Sequence, residues 1–217
     1  MLLAKTLRGL GQTLITAGVV ILLFVGYELW FTDLKTSRDQ RALGDQIEQV
    51  WRAPPRVHSL AIGDGIAVIH IPRFGRNWQR VVVEGVTVEA LKKGPGHYPG
   101  TQLPGEIGNF VVSGHRVTYG HPFNQIDTLR PGDPIVIETR DTWFTYVMES
   151  HEIVRPTAIE VAYPVPHHPE AVATKAILTM TSCHPKYSAR LRFIVHATLE
   201  STLAKSAGDP AALTGVT

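Results

Sequence analysis

A chain of 217 residues with a formal net charge of +2 has room for one domain of ordinary size and a little more. Its near balance of charge leaves no broad basic face of the kind that nucleic acid or an anionic lipid surface demands. The only cysteine is Cys183, which excludes an internal disulfide.

The first element is apolar. From Leu10 to Tyr27 about 18 residues carry no formal charge, near the minimum for a bilayer-spanning helix, and Leu29 and Trp30 extend it past Glu28. Tyr27 and Trp30 suit the interfacial belt, and Lys5 and Arg8 ahead of the run favour a cytoplasmic N-terminus. Tyr-Glu-Leu-Trp-Phe-Thr follows in place of a small-x-small cleavage site, which favours an uncleaved anchor over a signal peptide. Next, Leu34, Leu43, Ile47, Val50 and Trp51 recur roughly at helical spacing and stop before Ala53-Pro-Pro. That segment reads as a spacer lifting a domain off the membrane; a lid over a site is the other reading.

From Ile66 the pattern changes to short strands between Gly and Pro turns. Ile66–Ile71, Arg80–Glu84, Asn109–Ser113, Pro134–Glu138, Trp143–Val147, His151–Arg155, Ala176–Met180 and Arg192–Leu199 all qualify. Val86–Lys92 and the stretch from Pro122 to Leu129 suggest short helices, whereas Gly94-Pro-Gly-His-Tyr-Pro-Gly100 is turn-rich. The strand count argues for a mainly β fold, a closed or nearly closed barrel, and also allows a sandwich. The expected division is 1–9 cytoplasmic N-terminus, 10–30 transmembrane anchor, 31–58 juxtamembrane helix or linker, 59–201 β-domain and 202–217 flexible tail.

The chemistry gathers around Cys183, delivered to the end of the Ala176 strand and followed by turn residues. Its neighbours Thr179, Thr181, Ser182, His184, Pro185, Lys186 and Tyr187 are not a core sequence. A thiol is mostly protonated at neutral pH and needs a cationic or imidazole neighbour to act as a nucleophile. His115, in Asn109-Phe-Val-Val-Ser-Gly-His115-Arg, is a candidate partner distant in sequence, the usual pattern for thiol catalysis. A guanidinium suits the oxyanion of acyl transfer. Arg190 and Arg192 share a strand face, so parity does not choose between them. His97, His121, His167, His168 and His184 have spacings that match no zinc-ligand pattern, and a single cysteine offers no thiolate pair. His184 points away from Cys183 on an extended chain and reads as a positioning residue.

These motifs carry a resemblance. Thr179-Met-Thr-Ser-Cys183 is similar to the Thr-Leu-x-Thr-Cys box of sortases, the cysteine transpeptidases of Gram-positive surfaces, and Ser-Gly-His115-Arg to their Gly-His motif. Cys183-His-Pro-Lys-Tyr-Ser-Ala-Arg and Lys93-Gly-Pro-Gly-His-Tyr-Pro-Gly100 resemble the class E branch of actinobacteria, the similarity running from about Gly63 to Leu199. Ser182 departs from the usual threonine but keeps its hydroxyl.

The resemblance implies an eight-stranded sortase-type β-barrel over 59–201 with an N-terminal membrane anchor. It implies Cys183 as nucleophile, His115 as general acid and base, and Arg192, aligned directly before Phe-Ile-Val, as the stabilising arginine. It also implies a Leu-Ala-x-Thr-Gly sorting signal, with Tyr98 linked to the alanine preference, and Thr118, Tyr119, Thr181 and Tyr187 are further groove candidates. The implied partners are surface proteins bearing such a C-terminal signal and a peptidoglycan amine or a pilin lysine; nucleic acid is not one of them. The implied location is a single-pass cell-membrane protein with its catalytic domain outside. No acidic cluster resembles the class A calcium site, so activity without metal or other cofactor is expected. Two other readings stay open: a cysteine hydrolase of the same fold, and a silent membrane-anchored β-domain that binds a surface partner.

Overall fold

A computed structural model describes residues 2–52 and 61–215, and in the first helix the side chains of 6–27 and 33–52. The side chains of Lys5 and Trp30, the Ala53-Pro-Pro stop and the last two residues lie outside the described residues.

Eight strands, counted among the described residues, close a barrel: β1 (Gly65–His70), β2 (Gln79–Glu84), β3 (Gly96–His97), β4 (Gly108–Ser113), β5 (Pro134–Glu138), β6 (Thr142–Val154), β7 (Ala176–His184) and β8 (Leu191–Ala204). Their order around the barrel is β1-β2-β3-β4-β7-β8-β6-β5. The pairings β2–β3 and β4–β7 are parallel and the other six antiparallel. Alternation of side chains sends Ile69, Val82, Phe110, Val112, Ile135, Ile137, Met180, Val195 and Ala197 into one core. Tyr146 is fully buried there; its hydroxyl accepts the Gly105 N–H at 2.8 Å, and burial pushes its pKa up to about 12.

The strand count agrees with expectation, but its parts do not. Trp143–Val147 and His151–Arg155 are not separate strands: β6 runs unbroken from Thr142 to Val154, with register shifts near Thr145 and Met148 in its pairing with β8. The eighth strand is β3, inside the segment read as a turn, where two residues suffice to bridge β2 and β4. The short helix α2 spans Val88–Lys93, its N-terminus capped by Thr87, whose side chain accepts the Ala90 N–H at 3.2 Å. A single 3-10 turn at Ile126–Thr128 stands where a second short helix was expected.

The segments read from sequence as anchor and juxtamembrane linker form one helix, α1 (Leu2–Arg52). Thr6–Tyr27 is long and apolar enough to cross a membrane, and none of it is buried. Beyond it the helix packs on the barrel: Leu43 and Ile47 are buried against Val68, Val81, Val83 and Ala90, on the outside of β1, β2 and α2. At the other end of the chain β8 continues to Ala204, past the boundary at 201, and Ala211–Thr214 forms a short helix. Lys205 joins these ends, its ammonium 4.6 Å from the Trp51 ring centroid and paired with Glu138 at 2.5 Å.

Candidate active site

The register of three neighbouring strands places the predicted residues. β7 lies between β4 and β8. Along β7, Leu178 and Met180 enter the core, so Thr179, Thr181 and Cys183 face outward. Cys183 pairs directly with Arg192 across the β7–β8 ladder, and paired residues share a face with Cβ atoms about 4.5–5.5 Å apart. On the other flank Ser113 pairs with Thr181, and Gly114 N–H continues the ladder to the Thr181 carbonyl at 3.0 Å. Two residues on from Ser113 and from Thr181, His115 and Cys183 arrive level. The register therefore brings three backbone positions into line, with Cys183 on β7 between Arg192 on β8 and His115 just past the end of β4.

Local structure fixes each one. Ser182 faces inward, where its hydroxyl donates to the Gly114 carbonyl at 2.8 Å and ties the two strand ends together. Gly114 has to be glycine, since a Cβ there would meet Phe123 at 2.5 Å. His115 is half-buried; its Nε2 is buried without a hydrogen-bond partner, and burial holds the imidazole below its ordinary pKa. Arg192 commits Nη1 to the Ala189 and Leu191 carbonyls, at 2.9 and 3.0 Å, which holds the guanidinium at the strand start. Arg190 lies in the exposed turn before β8 begins, whereas Arg192 is on the strand and paired with Cys183.

The remaining candidates divide. Thr181 is buried on the same face of β7, two residues before Cys183, and the Tyr119 ring centroid lies 5.0 Å from that of His115. Thr118 is exposed on the same loop. Tyr98 is half-buried just past β3, its N–H on the Val111 carbonyl at 2.9 Å, so it stands on the strand next to β4, four residues back from His115. Tyr187 is 82% exposed, in a left-handed turn position, and does not pack into the site. His184 packs beside Phe193 at 5.8 Å on the inner side, away from the thiol.

One residue escaped the sequence reading. Arg116 is almost wholly buried; it donates through Nη1 to the Cys183 carbonyl and through Nε to the Asn124 carbonyl, both at 3.2 Å, and pairs with Asp127 at 2.6 Å. It braces the backbone at Cys183. The signal was its place directly after Gly-His, but its partners come from the fold.

Comparison with known proteins points the same way. A family model for the sortase domain matches residues 69–200. The chain is 35% identical to sortase SrtE1 of Streptomyces coelicolor over 95% of its length, and spans 60% of that protein. It is 32% identical to sortase SrtE2 of the same organism over 92% of its length, spanning 84% of that protein. Among solved structures, sortase E from Streptomyces avermitilis superposes with a TM-score of 0.65 at 44% identity, covering 70% of this chain and 99% of that one.

Proposed function

Since the chain belongs to the sortase family, we propose that it is a membrane-anchored cysteine transpeptidase that cleaves a Leu-Ala-x-Thr-Gly-like signal after threonine and passes the acyl group to a cell-wall amine. The observation that supports this reading is the strand register, which brings Arg192 on β8 and His115, just past β4, to either side of Cys183 on β7. His115 Nε2 takes the thiol proton as Cys183 Sγ bonds to the threonine carbonyl carbon. The oxyanion that forms is met by Arg192, whose fork has donors beyond the Nη1 held by the turn. Collapse of this adduct breaks the peptide C–N bond, and His115 gives its proton to the leaving amine. An incoming amine then attacks the thioester, loses a proton to His115 and restores the thiol.

Residues Thr6–Tyr27 support the anchor, and Lys5 and Arg8 at the N-terminal end of that span support a cytoplasmic N-terminus, so the barrel faces outward. The substrates are surface proteins with a C-terminal sorting signal, and the acceptor is a peptidoglycan amine. Tyr98 favours alanine over proline by accepting the alanine N–H that proline lacks.

The test uses the full chain in detergent micelles with a Leu-Ala-x-Thr-Gly peptide, with and without triglycine, followed by mass spectrometry. Cleavage after threonine with ligation to triglycine, absent in Cys183→Ala, is the expected result. Free acid alone would make the protein a hydrolase, and no cysteine-dependent product, with a Leu-Pro peptide also inert, would leave a binding domain.

A further inference from the structure

Away from Cys183, the fold assembles three donors that the sequence spacing kept apart. Glu152 on β6 and His196 on β8 face outward, and His167 descends on them from the connection between β6 and β7. The Nε2 atoms of His167 and His196 lie 2.6 and 2.9 Å from the same oxygen, Oε1 of Glu152. One ligand atom from each of the three falls within 4.8 Å of the others. Around tetrahedral zinc, with Zn–N near 2.0 Å, neighbouring donors sit about 3.3 Å apart, so the two nitrogen–oxygen separations need to open by about 0.7 and 0.4 Å to admit an ion.

Two further features favour a ligand set over a chance ion pair. The second nitrogen of His196, Nδ1, lies 3.0 Å from the hydroxyl of Thr179, which is fully buried. A metal-bound Nε2 requires its proton on Nδ1, and a neighbouring oxygen that accepts it fixes both tautomer and ring orientation. His167 is held in a left-handed conformation, φ 62°, with its N–H on the Glu160 carbonyl at 2.9 Å. A non-glycine residue adopts that backbone at a cost, and here it aims the ring at Glu152.

We propose that Glu152, His167 and His196 form a binding site for a zinc-type divalent transition-metal ion. Two imidazoles and one carboxylate suit such an ion and not calcium or magnesium, which take oxygen donors. Water fills the fourth position, because all three side chains are partly open to solvent. The ion is structural and not part of the thiol chemistry: Thr179, level with His196, is four residues from Cys183 on β7, about 13 Å along the strand. It fastens the β6–β7 connection to the barrel wall. Besides the His167–Glu152 contact, that connection is tied down by Asn109 Nδ2, which donates to the Val161 and Tyr163 carbonyls at 3.0 and 2.9 Å.

The experiment uses the full chain in detergent, free of any polyhistidine tag, in a Cys183→Ala background that removes thiolate binding. After incubation with zinc sulfate and dialysis against metal-free buffer, bound zinc is counted by mass spectrometry and thermal unfolding is followed with and without zinc. Retention of close to one zinc per chain with a raised Tm is expected. His167→Ala, in the connection and outside the sheet, should unfold at the parent temperature without zinc but lose both effects. Glu152→Gln should weaken zinc binding as well, and Thr179→Val should weaken it about 10–100-fold. Failure to retain zinc overturns the proposal, as does retention that His167→Ala and Glu152→Gln leave unchanged. Equal stabilisation by calcium overturns the assignment to a transition metal.

Discussion

Arg192 and His115 show what a single side chain decides in this site. The guanidinium of Arg192 is aimed by its own turn carbonyls, so its geometry matters as much as its charge. Arg192→Lys keeps the charge and loses the planar fork; kcat should fall about 10²-fold or more with KM little changed. Steady-state kinetics on the sorting peptide check this, and a variant within threefold of the parent would remove Arg192 from the oxyanion role. For His115 the sign follows from burial, which disfavours the imidazolium. A protonated ring cannot accept the thiol proton, so activity falls as pH drops through the His115 pKa. That acid limb of kcat/KM should lie below 6.5, and a limb at or above 6.5 would mean that another group controls it. At this scale the sequence was readable for residue types whose chemistry is scarce: one cysteine, and one histidine behind Ser-Gly. Arg116 was not readable, because its task is set by the Cys183 and Asn124 carbonyls and by Asp127, which only folding brings to it.

Elements were legible where periodicity is long and misread where length is the message. The outward and inward alternation of β7 and β8 can be read from Thr179-Met-Thr-Ser-Cys183 and Arg192-Phe-Ile-Val, whereas β3 has two residues and no period to detect. The shortness of β3 leaves the β3-side edge of β2 without a strand partner at Val81, and α1 supplies one. Gln40 accepts the Val81 N–H at 2.8 Å and donates to the Val81 and Lys93 carbonyls at 3.2 and 2.7 Å, standing in for strand backbone. Gly94 makes room, since a Cβ there would meet Gln40 at 2.2 Å. Gln40→Ala leaves these partly buried groups unsatisfied and should cost about 1–3 kcal/mol in urea unfolding. A change under 0.5 kcal/mol would show that water replaces the side chain without loss.

For the molecule as a whole, α1 belongs to the domain. Leu43 and Ile47 each cover apolar barrel surface, a burial of about 2 kcal/mol per side chain. A truncation beginning at residue 33 should therefore unfold cooperatively at nearly the temperature of the full chain. One beginning at residue 61 exposes Val68, Val81 and Val83 and should melt lower and self-associate. Calorimetry with size-exclusion chromatography separates these cases, and equal melting temperatures would demote the helix to a tether. Sequence periodicity showed that residues 34–51 are helical, but not what they cover, because a narrow apolar stripe reads alike whether it meets a barrel or a second helix.

The unbroken run of α1 also sets a height. Asp33 accepts the Gly120 N–H at 3.0 Å, on the loop that carries Tyr119 beside His115, and lies six residues past Tyr27 at the end of the apolar span. At 1.5 Å per residue that is about 9 Å of rigid rod with no joint in it. With Thr6–Tyr27 in a bilayer, the catalytic mouth is held close above the headgroups and cannot swing away. A protein still threaded through the same membrane would present its cleavage point at that altitude, and one released into bulk solvent would have to find its way down to it.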